Sequence, residues 1–114
     1  MTREEKNLLY TKLVETNPKA ELKGDTIPYT SLNGNMYSYF SKDDVVALRL
    51  AEDVRKEFLK KYKTKLMEAY GIIQKEYVAV PESLLKKTAE LKHYFDLSYK
   101  YAASLKAKPS KKKK

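Results

Sequence analysis

Three tyrosines around one turn, Tyr29, Tyr37 and Tyr39, and two runs of lysine carry most of the chemistry this chain can offer. A phenol ring stacks on a base or an apolar partner while its hydroxyl hydrogen-bonds. The first basic run holds Arg55, Lys56, Lys60, Lys61 and Lys63. The second, at the C-terminus, ends in Lys111, Lys112, Lys113 and Lys114. Each such charge can neutralise a phosphate. Other reactive groups are scarce. With no cysteine there is no disulfide, thiol nucleophile or cysteine-ligated metal. The single histidine, His93, has no carboxylate pattern around it that would make a metal site. Asp43-Asp44 pairs two carboxylates, but in a tight turn, where aspartate is favoured for backbone reasons. Glu4-Glu5 and Glu52-Asp53 suit helix starts. Gly24, Gly34 and Gly71 are too far apart for a phosphate-cradling loop. The expectation is no catalytic residue, no cofactor and no metal.

The charge is unevenly spread. The chain of 114 residues has a net charge of +9, with 24 basic and 15 acidic residues. Six of the lysines follow Leu105 with no acid among them, so residues 1–105 hold 18 basic residues against the 15 acidic ones. The excess sits in the helix that carries Arg55 and in the tail. Nucleic-acid-binding folds usually show a basic face on the body itself. No stretch is apolar enough to span a bilayer or to resemble a secretion signal. A cytoplasmic protein without membrane association is expected.

The elements that must position these residues centre on Leu32 to Leu50. Asn33-Gly34 supplies the two positive-φ positions of a type I′ turn between strands near 26–32 and 36–40. With a two-residue turn, Ser31 should face Met36, Tyr29 should face Ser38 and Ile27 should face Phe40. Thr30–Tyr37 and Pro28–Tyr39 then pair on the other face, with Tyr37 and Tyr39 side by side. Pro28 assigns this strand to an edge or a bulge. A turn at Ser41–Asp44 leads to a third strand, Val45 to Leu50, whose inward set is Val46, Leu48, Leu50 or the alternate set. A first helix spans Thr2 to about Asn17, with Thr2 as its cap and Leu9, Tyr10, Leu13 and Val14 on one side. The second runs from Glu52 to about Lys63 around Val54, Phe58 and Tyr62. Strands follow at 66–70 and 75–80. One long helix from Pro81 to about Leu105 closes the body. The fold class is α+β: a two-layer sandwich of about five antiparallel strands, in the order α-β-β-β-α-β-β-α, with helices mainly on one face. Residues 1–105 form one domain and residues 106–114 a disordered lysine-rich tail.

The segments NGNMYSYFSKDDVVALRL, EDVRKEFLKKY and KEYVAVPESLL, with the closing helix, resemble the N-terminal domain of TfoX/Sxy competence regulators, in its single-domain form. The resemblance covers most of residues 5–105. It implies a two-layer α+β domain with a regulatory rather than catalytic role, and it brings no active-site residues. Where many relatives carry Met-Phe-Gly, this chain reads Thr26-Ile27-Pro28-Tyr29.

Two functions fit these observations. In the first, the chain is a non-catalytic interaction module that presents Tyr29, Tyr37 and Tyr39 to a protein partner or to a second copy of itself. In the second, it binds nucleic acid weakly and salt-dependently through Arg55, Lys56, Lys60, Lys61, Lys63 and the tail lysines 111–114.

Overall fold

The computed structural model describes residues 1–24, 26–69 and 71–106. Helix α1 (Arg3–Glu15) opens the chain, followed by β1 (Tyr29–Leu32), β2 (Asn35–Phe40) and β3 (Val46–Arg49). Then come α2 (Glu52–Lys61), β4 (Leu66–Ala69), β5 (Ile72–Ala79), the short α3 (Glu82–Leu85) and α4 (Thr88–Ser104). The five strands form one antiparallel sheet in the order β1-β2-β3-β5-β4. The helices cover one face, giving the expected α+β two-layer sandwich. The long closing helix expected from Pro81 onward is two helices, α3 and α4, parted at Lys86–Lys87, where Lys87 leaves the helical region at ψ 72°. The tail lysines 111–114, the end of the expected fourth strand at Tyr70, and Asp25 lie outside the described residues.

Local chemistry explains the ends of the elements. Thr2 and Glu5 close a capping box on α1: the Thr2 hydroxyl accepts from the Glu5 amide and Glu5 accepts from the Thr2 amide. These bonds hold the Glu5 carboxyl below its ordinary pKa. Asn33 and Gly34 take φ of 54° and 79°, as a type I′ turn requires. Asp44 sits at φ 65° in the next turn, where the Ser41 hydroxyl accepts from the Asp43 and Val45 amides. Asp44 also pairs with Arg3. The aspartate pair therefore shapes a turn and ties α1 to it.

The core settles the parity of β3. Val46, Leu48 and Leu50 are buried in the helix-side cluster with Tyr10, Leu13, Phe58, Leu91 and Phe95. Ala47 faces the other way, into a second cluster that draws no residue from any helix.

The register between β1 and β2 departs from the expected pairing. Ser31 faces Met36 as anticipated, but the register then shifts, so that Thr30 faces Ser38 and Tyr29 faces Tyr39. Tyr37 is thus the extra residue of a β-bulge. The expected side-by-side pair is separated. Tyr37 joins the helix-side core against Phe95 and Tyr99, at ring separations of 5.8 and 5.7 Å. Tyr39 lies on the opposite face with Tyr29 and Tyr77. Ser38 shares Tyr37's side. Its hydroxyl is hydrogen-bonded to Tyr10 at 2.7 Å and to Thr30 at 2.5 Å, which satisfies three polar groups in a largely apolar layer.

Burial raises the phenol pKa values of Tyr10, Tyr37, Tyr39 and Tyr77 above the ordinary 10.0, Tyr77 to about 12. A raised phenol stabilises the fold fully below pH 10, and that contribution is lost as pH climbs through the folded value. We expect these phenolates to appear in an ultraviolet titration together with loss of circular dichroism, well above pH 10. Ionisation of all ten tyrosines near pH 10 with the fold intact would contradict the packing described.

Candidate functional site: the concave sheet face

The helix-free face of the sheet is not flat. Between Leu66 and Met67 of β4 the pairing on β5 jumps from Val78 to Gln74, leaving three β5 residues without counterparts on β4. A strand bends sharply at such a shift. Here the far half of the β4–β5 hairpin folds over the sheet. The Tyr39 hydroxyl donates to the Gln74 carboxamide oxygen across the gap. Met67 is buried against Tyr39 and Ala47.

The bend leaves a cleft of about 460 Å³, floored by Met36, Tyr39 and Met67 and walled by Ile27 and Ala69. Lys42, Asp43 and Glu68 stand at its rim. A second hollow of about 370 Å³, reaching Lys65 and Leu66, shares Met67 and Glu68 with it. The size lies in the range of small-ligand sites, and the lining is apolar with a few polar groups, as such sites are. Two of the chain's three methionines are in the floor. The unbranched thioether adapts to irregular partners and is common on surfaces that accept varied apolar groups. The Tyr39 phenol is raised in pKa by burial, partly offset by its bond to Gln74, so at neutral pH it is an uncharged hydrogen-bonding group. Among the described residues no three His, Cys, Asp or Glu side chains cluster to hold a metal ion.

One end of this face is locked to the helical layer. Arg49 donates through Nε to Glu76 at 2.7 Å and through Nη1 to the Met36 carbonyl at 3.2 Å. Its guanidinium lies 5.9 and 5.8 Å from the Tyr77 and Tyr101 rings. The Tyr101 hydroxyl donates to the other Glu76 oxygen at 2.9 Å, and Tyr77 donates to the Met36 carbonyl at 2.8 Å. Burial opposes the Glu76 carboxylate, yet the bonds from Arg49 and Tyr101 outweigh it and hold the pKa below the usual carboxylate value.

The residues singled out from sequence are thus divided. Tyr29 and Tyr39 share the concave face and pair directly. Tyr37 does not belong with them, because the bulge turns it into the core. Tyr77 and the two floor methionines complete the face. Sequence reasoning missed these three, because Met36 joins Tyr39 only through the bulge in β2 and Met67 reaches them only through the bend of the β4–β5 hairpin.

The basic residues are spread over different surroundings. Arg55 is half-buried and donates to the Leu50 carbonyl at 2.8 Å, which fastens α2 to the end of β3. Lys56 pairs with Glu52 at 3.1 Å, and Lys61 lies 5.4 Å from the Tyr62 ring. Lys60 and Lys63 are exposed. The N-terminal part of α4 meets α2 through Phe58–Tyr94 and the Tyr62–Glu90 hydrogen bond. At its other end the Lys106 carbonyl accepts from Asn35, beside the β1–β2 turn. Along α4 the end of the helix lies roughly 15 Å from Tyr94 and roughly 21 Å from Glu90. Lys60 and Lys61, at the end of α2, therefore stand near the start of α4, whereas Arg55, at the other end of α2, lies close enough to Tyr101 and Glu76 to act on both electrostatically, on the side of α4 from which the tail leaves. His93 is exposed on α4 beside the Tyr94 ring. No helix among the described residues is long and apolar enough to cross a membrane.

Lys63 has a structural duty of its own. It holds φ 51° just past α2, while the Thr64 amide donates to the Leu59 carbonyl, closing a Schellman cap. Glycine suits that position better, since a left-handed L-residue costs roughly 1–2 kcal/mol. We expect Lys63→Gly to raise stability by about 1 kcal/mol in denaturant melts. A clear loss would show that the lysine side chain makes a compensating contact.

No protein-family model, curated protein or solved structure matches the chain.

Proposed function

We propose that the chain is a non-catalytic, regulatory protein-interaction module whose recognition element is the concave sheet face. The observation that carries this reading is the helix-free cleft floored by Met36, Tyr39 and Met67. Tyr39 and Met67 are buried by the folded hairpin, so what the cleft leaves for a partner to cover is the half-buried Met36 and the exposed Ile27 beside it. The polar rim of Lys42, Asp43 and Glu68 around an apolar floor has the layout of a protein-binding patch. The resemblance of the NGNMYSYF and KEYVAV segments to TfoX/Sxy N-terminal domains supports a regulatory role in the cytoplasm.

A photo-crosslinking amino acid placed at Met36, and separately at Lys60, tests the reading in cells. Protein adducts are expected from position 36 and not from position 60. Adducts from neither position, or equally from both, would overturn it.

The exposed lysines of α2 support a second reading, weak nucleic-acid binding. Because Arg55, Lys56 and Lys61 already contact groups of the fold, such binding has few uncommitted cations on α2 to draw on. We expect filter-binding affinity for mixed DNA and RNA to vanish between roughly 50 and 200 mM salt. Affinity that persists at the higher salt would promote this reading over the first.

A further inference from the structure

Three observations fall on the same hairpin. First, among the described residues the sheet has one edge with no strand or bridge against it. The outer edge of β1 is engaged by Lys23, whose amide and carbonyl both bond to Tyr29, at 2.8 and 2.9 Å. Gly24 permits this approach: at φ 84° a Cβ there would stand 2.4 Å from the Ile27 carbonyl oxygen. The other edge, β4, ends the sheet, and among the described residues no strand lies beyond it. Second, β5 begins at the hairpin tip with Ile72 and Ile73, which are 68% and 57% exposed. Successive strand residues point to opposite faces, so a single chain's sheet face cannot cover both. Third, the same hairpin supplies Met67, Ala69 and Gln74 to the cleft.

We propose that the occupant of the cleft is a second copy of this chain, which inserts its Ile72–Ile73 tip beside β4 and receives the partner's tip in return. This rests on the interaction-module reading and names its partner. A plug and a socket on one contiguous patch close into a two-fold dimer, whereas a plug and socket on separate patches would propagate a fibre. A two-fold contact also brings each surface against itself, so the patch must carry both charge signs or neither. The rim does carry both, with Lys42 and Lys65 near Asp43 and Glu68. Leu8, equally exposed at 68%, stands on α1 in the helical layer, away from the sheet face, and serves as the control.

The test is sedimentation equilibrium on the full chain and on Ile72→Glu/Ile73→Glu and Leu8→Glu variants. All three substituted side chains are exposed, so the fold is expected to survive. We expect the tip variant to weaken self-association at least tenfold and the Leu8 variant to leave it unchanged. The chain has no cysteine, which permits a second measurement. Mixed Ile72→Cys and Met36→Cys chains should form a mixed disulfide between tip and cleft, and Leu8→Cys with Met36→Cys should not. A wild-type chain that stays monomeric at millimolar concentration, or a dimer indifferent to the tip variant, would overturn the proposal. If adducts from Met36 then contain a different protein, the module reading stands while self-association falls. If Met36 gives no protein adduct at all, both fall.

Discussion

The β-bulge at Tyr37 is the constraint on which the two faces of this protein depend. A regular β2 would send Met36, Ser38 and Phe40 to one side and Tyr37 and Tyr39 to the other. The extra residue places Tyr37, Ser38 and Phe40 together under the helices and leaves Met36 and Tyr39 on the open face. The cost is a locally broken ladder. The return is a helix-side core in which Tyr37 packs on Phe95 and Tyr99 and the Ser38 hydroxyl can reach Tyr10 and Thr30. An unpartnered buried hydroxyl at Ser38 would cost about 1–3 kcal/mol, so the hydroxyl cluster and the bulge require each other.

A second irregularity, the register jump in β5, does for the open face what the bulge does for the core. It releases β5 from β3 beyond Glu76 and lets the hairpin fold over Tyr39. Glu76 sits at that departure point and is held by Arg49 and Tyr101. The bend is therefore anchored to α4 on one side and to Tyr39 on the other. A hairpin fixed at both ends makes a cleft of defined shape from side chains that a flat sheet would leave scattered.

Much of the architecture was legible because it is written locally. Asn33-Gly34 specifies its turn through two positive-φ positions, Thr2 and Glu5 specify a helix start, and Val54, Phe58 and Tyr62 specify the buried side of α2. The partition of the tyrosines was not. Nothing in NMYSYF marks residue 37 as the one without a counterpart. That choice is made by Phe95, Tyr99 and Tyr10, far along the chain, which fit Tyr37 and Ser38 on one side. Likewise Lys86–Lys87 carry no glycine or proline to announce the break between α3 and α4. The break follows from the need to turn the chain after Leu84 and Leu85 are buried. The cleft was half legible: its residue types were visible, but the fold of the hairpin that assembles them is a long-range effect.

The distribution of charge fits an apolar cleft better than a phosphate-binding one. Arg55 is spent on fastening α2 to β3, Lys56 is paired, Lys61 lies against Tyr62 and Lys63 caps a helix. Most of the α2 cations thus already serve the fold or lie against neighbours on their own helix. What they add at long range is a net positive charge that slows non-specific association of a chain with an exposed apolar hollow. The concave face, by contrast, has rim charges of both signs and an uncharged floor. Such a surface exerts little long-range pull and selects its occupant at contact, by shape and apolar fit. Recognition at this site is therefore a matter of side-chain complementarity, with the lysines setting which encounters last long enough to find it.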